Sequence, residues 1–242
     1  MAKTTLPSPR IVSPRQWLAQ RKKLLAREKA LTREYDRVSA QRRRLPMVKI
    51  EKDYVFTGPK RKLRLVDLFA GHRQLIVYHF MFDPEWRDGC PSCTAYVDAL
   101  PDLSPLRAKD TQFVLISHAP LPKLTAYQRK RGWKLPWFSS FGSEFNYDFH
   151  VTLDARVAPI EYNYRDEAQM VIKKIPNPKQ GETHGMSVFF RLGTEVFHTY
   201  SAYARGTEGL ADTNHLLDIT PYGRQQKFED SPPGWPQQPT YG

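Results

Sequence analysis

The sequence predicts an α/β fold, a central mixed sheet flanked by helices, with a long amphipathic helix at the N-terminus. Three observations carry this. Residues 75–82 and 113–117 are short, almost wholly apolar runs bounded by polar or turn residues, the pattern of strands buried on both faces. A helical pattern lies between them and another follows, and strand, helix, strand, helix in succession implies a parallel pair. Farther on, residues 186–191 and 195–201, joined by Leu192-Gly193-Thr194, read as a β-hairpin.

Taken in chain order, residues 1–12 are rich in Pro, Ser and Lys and carry no periodic pattern. Ser13 then reads as an N-cap, with Pro14 at the first helical position and Gln16 placed to reach back as in a capping box. Trp17, Leu24, Leu31 and Val38 recur every seven residues, with Leu18, Leu25 and Tyr35 beside them, so a helix is expected over residues 14–43, closed by Leu45-Pro46. Its apolar stripe calls for a cover, either the protein's own domain or the same helix of a second chain, and a homodimer through this helix is the expectation. From Val48 the pattern turns β-like: Tyr54-Val55-Phe56, a Gly58-Pro59 turn, then residues 63–69, where a short helix starts. Tyr96, Val97 and Leu100 stand at helical spacing within residues 90–100, and a further helix covers 124–131. A final helix is expected around 207–216, before a tail whose Pro232, Pro233, Pro236 and Pro239 favour extended or disordered chain. The chain thus reads as a basic segment (1–46), one domain (47–224) and a Pro-rich tail (225–242).

Charge separates these parts. The 242 residues carry a net +12, but residues 1–64 hold 19 Lys/Arg against 5 Asp/Glu, leaving 18 against 20 for the rest. The basicity belongs to the N-terminal segment, so it does not mark the main domain as a nucleic-acid binder. Arg42-Arg43-Arg44 and Lys22-Lys23 suit a solvated helix with a basic C-terminal end, and no aromatic residues interleave them as in a nucleic-acid surface. No apolar run approaches the roughly 20 residues that span a bilayer, and no apolar h-region stands at the N-terminus, so neither membrane insertion nor a signal peptide is expected.

Chemistry concentrates at Cys90-Pro91-Ser92-Cys93, directly after the first apolar run, where both cysteines of the chain sit two residues apart. A strand that delivers Cys-x-x-Cys to the first turn of a helix is the layout of a dithiol/disulfide site. If Pro91 opens the helix, Cys90 occupies the N-cap, where unpaired N–H groups and the dipole favour a thiolate; Cys93, one turn inward, becomes the resolving thiol. A structural zinc site needs two more closely spaced ligands, and no second cysteine pair exists; no metal and no cofactor is therefore expected. A pair free to cycle fits a cytoplasmic setting.

A βαβ unit with Cys-x-x-Cys at its first βα junction, followed by a hairpin and a closing helix, resembles the thioredoxin fold. The match extends to particular stretches. They are residues 71–82 leading into Trp86 and Gly89-Cys90-Pro91-Ser92-Cys93; Gly132-Trp133-Lys134-Leu135-Pro136-Trp137 with Ser139-Ser140; and Phe145-Asn146-Tyr147-Asp148-Phe149. Ser187-Val188-Phe189-Phe190-Arg191, Tyr203-Ala204-Arg205-Gly206 and Leu217-Asp218-Ile219-Thr220-Pro221-Tyr222-Gly223-Arg224 complete the set. Together they resemble the bacterial thioredoxin-like DUF899 family over residues 14–224, which implies a dithiol–disulfide oxidoreductase. Thioredoxins also place a cis-proline facing the sulfurs, and Ser187 falls at its position here, which makes Ser187 a candidate at the substrate. They place a buried carboxylate near the resolving thiol, and since residues 75–82 contain no acid, His79 is the candidate proton shuttle, beside the alternative of a core histidine bonded to backbone.

Trp86 and Arg87, in the loop before Cys90, are candidates to shield the site and to stabilise the thiolate. Arg191 and Arg205 are candidates to hold a substrate carboxylate, or to pair with Asp148 or Glu144. His184 is the residue best placed to join the thiols on a metal. The expected activity is exchange with a protein or small-molecule disulfide. Two alternatives stand beside it: a peroxiredoxin-like thiol peroxidase, for which Thr94 and Arg87 stand near in sequence but not at that motif's spacing, and a non-enzymatic dimeric module that senses redox state or holds a metal.

Overall fold

A computed structural model describes residues 7–173 and 180–210, with Gln225, Lys227, 233–235 and Gln237. The chain divides into two compact units, residues 47–213 and a second that holds the N-terminal helix. That helix, α1 (Pro14–Arg42), begins with the expected capping box: the Ser13 hydroxyl accepts from Gln16 N at 3.3 Å, and Gln16 Oε1 accepts from Ser13 N at 3.1 Å. No residue of α1 is buried, and the stripe residues Trp17 and Leu31 are 59% and 70% exposed. No helix among the described residues is long and apolar enough to cross a membrane.

The unit of residues 47–213 runs β1 (Val48–Lys49), β2 (Val55–Thr57), β3 (Lys62–Arg64), a 3-10 turn (Leu65–Phe69), β4 (Gln74–His79), α2 (Pro91–Asp98), α3 (Ser104–Ala108), β5 (Thr111–Ser117) and α4 (Leu121–Arg131). It continues with β6 (Trp137–Ser139), α5 (Phe145–Asp148), β7 (Thr152–Asp154), β8 (Glu161–Tyr162), β9 (Arg165–Asp166) and α6 (Glu167–Ile172). It closes with β10 (Gln180–Glu182), β11 (Gly185–Leu192), β12 (Glu195–Tyr203) and a 3-10 turn (Ala204–Leu210). Of the final helix expected over 207–216, the described part is this 3-10 turn; most of the Pro-rich tail and the stretch 217–224 lie outside the described residues.

Eight strands form one sheet in the order β1-β12-β11-β4-β5-β6-β2-β3. The pair β4–β5 is parallel, as the two apolar runs predict, and β6 extends the parallel set. The expected hairpin is β11–β12, with β11 antiparallel to β4. A βαβ unit whose first strand also receives an antiparallel hairpin is the thioredoxin-like arrangement.

Alternation along the strands sorts the core into two faces. Leu75, Val77, Val114, Ile116 and Phe189 share one cluster with Phe56, Phe69, Phe145 and Phe149. Tyr78, Phe80, Phe113, Leu115 and Met186 share the other with Cys90, Cys93 and Val97 of the α2 region and Leu124 and Tyr127 of α4. All seven residues of β5 are buried, because both faces are covered.

Candidate active site

The chain leaves β4 and returns to it just before α2: Cys90 N donates to Met81 O at 3.1 Å. Gly89 precedes Cys90 for a steric reason, since a Cβ there would stand 2.6 Å from the Phe80 ring. Cys90 then caps α2 with Pro91 at its first position. Thr94 locks the turn, its hydroxyl donating to Cys90 O at 2.8 Å and meeting Tyr127 Oη at 2.9 Å. The Thr94 hydroxyl is thus engaged with a carbonyl and a phenol.

Both cysteines are free thiols, 4.0 Å apart. Cys93 is 1% exposed and Cys90 9%, so Cys90 is the more accessible of the two. Their environments push them in opposite directions. Cys90 is lowered to about 5, first by the hydrogen bond from the Cys93 thiol, against the cost of burial, and then by the Cys93 N–H and the Ser92 hydroxyl and N–H. The Ser92 hydroxyl lies 3.0 Å from Cys90 Sγ and donates to the thiolate. Burial pushes Cys93 well up, reinforced by the Cys90 charge, while a hydrogen bond from Tyr78 opposes the rise. Tyr78 is itself 1% exposed, stacks on Tyr96 at 4.6 Å, and is held neutral by burial and by the sulfurs.

Tyr78, not His79, therefore attends the resolving thiol, which corrects the expectation for His79. Successive residues of a strand point to opposite faces, and Tyr78 takes the cysteine face. The His79 ring packs against Phe145 and Phe149 in the other core, with Nε2 2.8 Å from Ser187 Oγ. Burial pushes His79 down to about 3, and its ring stands in the core on the face away from the thiols. Ser187 needs the same correction. It is fully buried on the His79 face and bonds Ser201 Oγ at 2.8 Å, which in turn meets His198 Nε2 at 2.8 Å. The neighbour on the cysteine face is Met186.

Arg191 sits at the opposite end of β11 from the cysteines and ties down a loop, donating to His72 O and Gly71 O, both at 2.6 Å. Its guanidinium is thus engaged by backbone carbonyls of that loop rather than set beside the thiols. Arg205 donates to Glu208 at 3.3 Å, while Asp148 and Glu144 pair with Lys52. Trp86 is 38% exposed in the loop before Cys90, and Arg87 is exposed beside it. The groups acting most on Cys90 are Cys93 and Ser92 rather than Arg87.

Immediately before β11, burial lowers His184, against the Ala204 carbonyl and then the Cys90 charge, which raise it. Its Nε2 lies 3.3 Å from Ala204 O, and because a carbonyl only accepts, Nε2 carries the proton. Gly185 beside it admits no side chain: a Cβ would stand 2.7 Å from the Tyr203 ring. Tyr78 and Ser92 were given no role from sequence, and His184, singled out there as a metal-ligand candidate, stands here as a proton-bearing imidazole. Strand alternation puts Tyr78 and His79 on opposite faces but does not say which of them meets the sulfurs.

A family model described as "Bacterial protein of unknown function (DUF899)" matches residues 6–241. The chain belongs to the DUF899 family. No curated protein matches it. Among solved structures, this DUF899 chain is similar to the bacterioferritin comigratory protein of Xanthomonas campestris, solved in a study of alkyl peroxide reduction. Identity is 16%, the alignment covers 70% of this chain and 93% of that one, and the TM-score is 0.45. It is also similar to the peroxidoxin BcpB of Mycobacterium tuberculosis (14% identity, 66% and 85% covered, TM-score 0.39). A third likeness is the yeast mitochondrial 1-Cys peroxiredoxin (16% identity, 72% and 78% covered, TM-score 0.37).

Proposed function

We propose that this DUF899 protein is a thioredoxin-like dithiol–disulfide oxidoreductase of the cytoplasm, acting on a protein or small-molecule disulfide. The observation that carries the reading is the polarised pair: an outer sulfur held as thiolate at the cap of α2, and a buried thiol 4.0 Å behind it. The Cys90 thiolate attacks one sulfur of the substrate disulfide. A new S–S bond joins Cys90 to that sulfur, and the other sulfur leaves with the electron pair and takes a proton. Cys93 then gives up its proton and attacks Cys90 Sγ, expelling the second substrate thiolate and closing Cys90–Cys93. The substrate gains two electrons and the protein loses two. Tyr78 is a positioning residue for the second step. Its hydroxyl donates to Cys93 and so favours the thiolate that must form in a buried place. Regeneration reverses the sequence with a dithiol as reductant. The heptad spacing of Trp17, Leu24, Leu31 and Val38 on an unburied helix supports a homodimer through α1.

Two measurements test this. Cys93→Ser removes the resolving sulfur, so mixed disulfides through Cys90 accumulate and disappear in Cys90→Ser. The Cys90/Cys93 couple, read by alkylation and mass in thiol buffers, falls between about −270 and −120 mV. A pair that never oxidises in those buffers refutes the proposal.

A further inference from the structure

A second constellation lies beyond the carboxyl ends of the parallel strands, where open α/β sheets bind ligands. Asp83 follows β4, His118 follows β5, and Glu182 ends β10. One potential ligand atom from each lies within 4.8 Å of the others. We propose that Asp83, His118 and Glu182 form a divalent-cation site of two carboxylate oxygens and one imidazole nitrogen, a donor set suited to Mn2+, Fe2+ or Zn2+.

Burial makes the first argument. The Glu182 side chain is only 1% exposed, and His118 is 15% exposed. A carboxylate taken so far out of water needs compensation, and a second carboxylate beside it raises that need rather than meeting it. An ordinary His–Glu bond, here His118 Nδ1 to Glu182 Oε1 at 3.2 Å, does not draw in Asp83, whose Oδ1 accepts from Glu85 N at 2.7 Å and whose carboxylate still lies beside them. A cation does. Donors around an ion at about 2.1 Å stand roughly 3–4 Å apart, so the His118–Glu182 spacing already fits, and a small side-chain adjustment brings Asp83 in.

The surroundings make the second argument. A chain of buried polar groups leads to the site from outside it. Ser140 Oγ donates to Asn146 Oδ1 at 2.7 Å, Asn146 Nδ2 to Thr152 Oγ1 at 3.0 Å, and Thr152 Oγ1 to Glu182 Oε1 at 2.7 Å. Ser140, Asn146 and Thr152 are 0%, 2% and 7% exposed. Thr152 faces Glu182 in the β7–β10 register. Outer groups that fix a ligating carboxylate are a feature of built metal sites. The rings of Tyr147, at 5.8 Å, and Phe141, at 6.2 Å, flank the imidazole. The Lys123 ammonium donates to the carbonyls of Pro84 and Trp86. Three protein donors leave positions open for water or a small ligand.

Mn2+ titration of the full-length, metal-stripped, reduced protein, followed by the electron-paramagnetic signal of free Mn2+, tests the site. One ion per chain is expected, with affinity at least tenfold weaker in His118→Gln, Glu182→Gln and Asp83→Asn, and unchanged in Cys90→Ser/Cys93→Ser. Glu182 is buried and its variant can fail to fold. Asp83 is a partly exposed loop residue, so folded Asp83→Asn decides independently. The proposal is overturned by absence of saturable binding, by wild-type affinity in folded Asp83→Asn, or by loss of binding in the cysteine variant, which would move the ion to the thiols.

Discussion

Ser92→Ala isolates one of the interactions that hold the Cys90 thiolate. The hydroxyl stands 3.0 Å from Cys90 Sγ in a partly buried turn. A hydrogen bond to a charged group contributes roughly 1.5–3 kcal/mol, and one pKa unit corresponds to about 1.4 kcal/mol. Removing the hydroxyl therefore raises Cys90 by about 1–2 units, from about 5 to roughly 6–7. It does not return to the ordinary value, because the Cys93 thiol, the largest contributor, and the backbone N–H groups remain. The assay is the pH dependence of thiolate absorbance at 240 nm, with the rate of alkylation by iodoacetamide in parallel. Intrinsic nucleophilicity rises with pKa, so above pH 8 the variant alkylates about 3–8 times faster, whereas near pH 4 it is slower for lack of thiolate. An unchanged midpoint in Ser92→Ala would refute the role given to the hydroxyl. A wild-type midpoint near 9 would refute the thiolate itself.

Tyr78→Phe keeps the ring stacked on Tyr96 but removes the donor to Cys93. Release of a Cys90 mixed disulfide should slow by about tenfold, roughly the 1.4 kcal/mol of one hydrogen bond, with the first attack unaffected; stopped-flow single turnovers separate the steps, and equal release rates would exclude the role. His79→Leu strips a partner from buried Ser187 and should destabilise the protein by about 1–3 kcal/mol in denaturant unfolding, while leaving the Cys90/Cys93 midpoint potential alone; a shifted potential would return His79 to the chemistry. Because Cys90 is depressed in the folded state, its thiolate adds stability fully present above about pH 9 and lost as pH falls through about 5. The disulfide form has no such group, so the Tm of the reduced protein relative to the oxidised should fall from pH 9 to pH 5, and a constant difference would contradict the shift. Leu24→Glu with Leu31→Glu should halve the mass seen by light scattering; an unchanged mass would place the α1 stripe outside the dimer contact.

Two adjacent residues show what the sequence could and could not convey. The run 75–82 announces a buried strand, and Cys90 directly before Pro91 and a helical pattern announces the cap. Both follow from local spacing, and both appear in β4 and α2. Which side chain of that strand faces the sulfurs is a matter of phase. Because a strand buried on both faces is apolar throughout, its pattern does not mark its two sides, and His79 attracted the shuttle role on chemistry alone. The backbone settles the phase by pairing Tyr78 with Leu115 and with Met186, and all three belong to the cysteine-side core. Ser187 was misplaced by the same one-residue ambiguity, since its neighbour Met186 takes the cysteine face. Strands as short as Trp137–Ser139 and Gln180–Glu182 offered too few residues for any period to show.

The same phase logic explains why the polar network of the far face and the redox pair coexist in one small sheet. His79 Nε2, Ser187, Ser201 and His198 Nε2 bond one another across β4, β11 and β12, while His79 Nδ1 has no partner, and the bonds that are made stabilise the pairing of those strands. That pairing fixes the register in which Met186 and Tyr78 stand together beneath α2. The histidine network thus reaches the thiols only through backbone position. A variant that weakens it should loosen the hairpin and lower stability before it changes the affinity of Cys90 for protons, since none of the groups acting most on that sulfur comes from the far face.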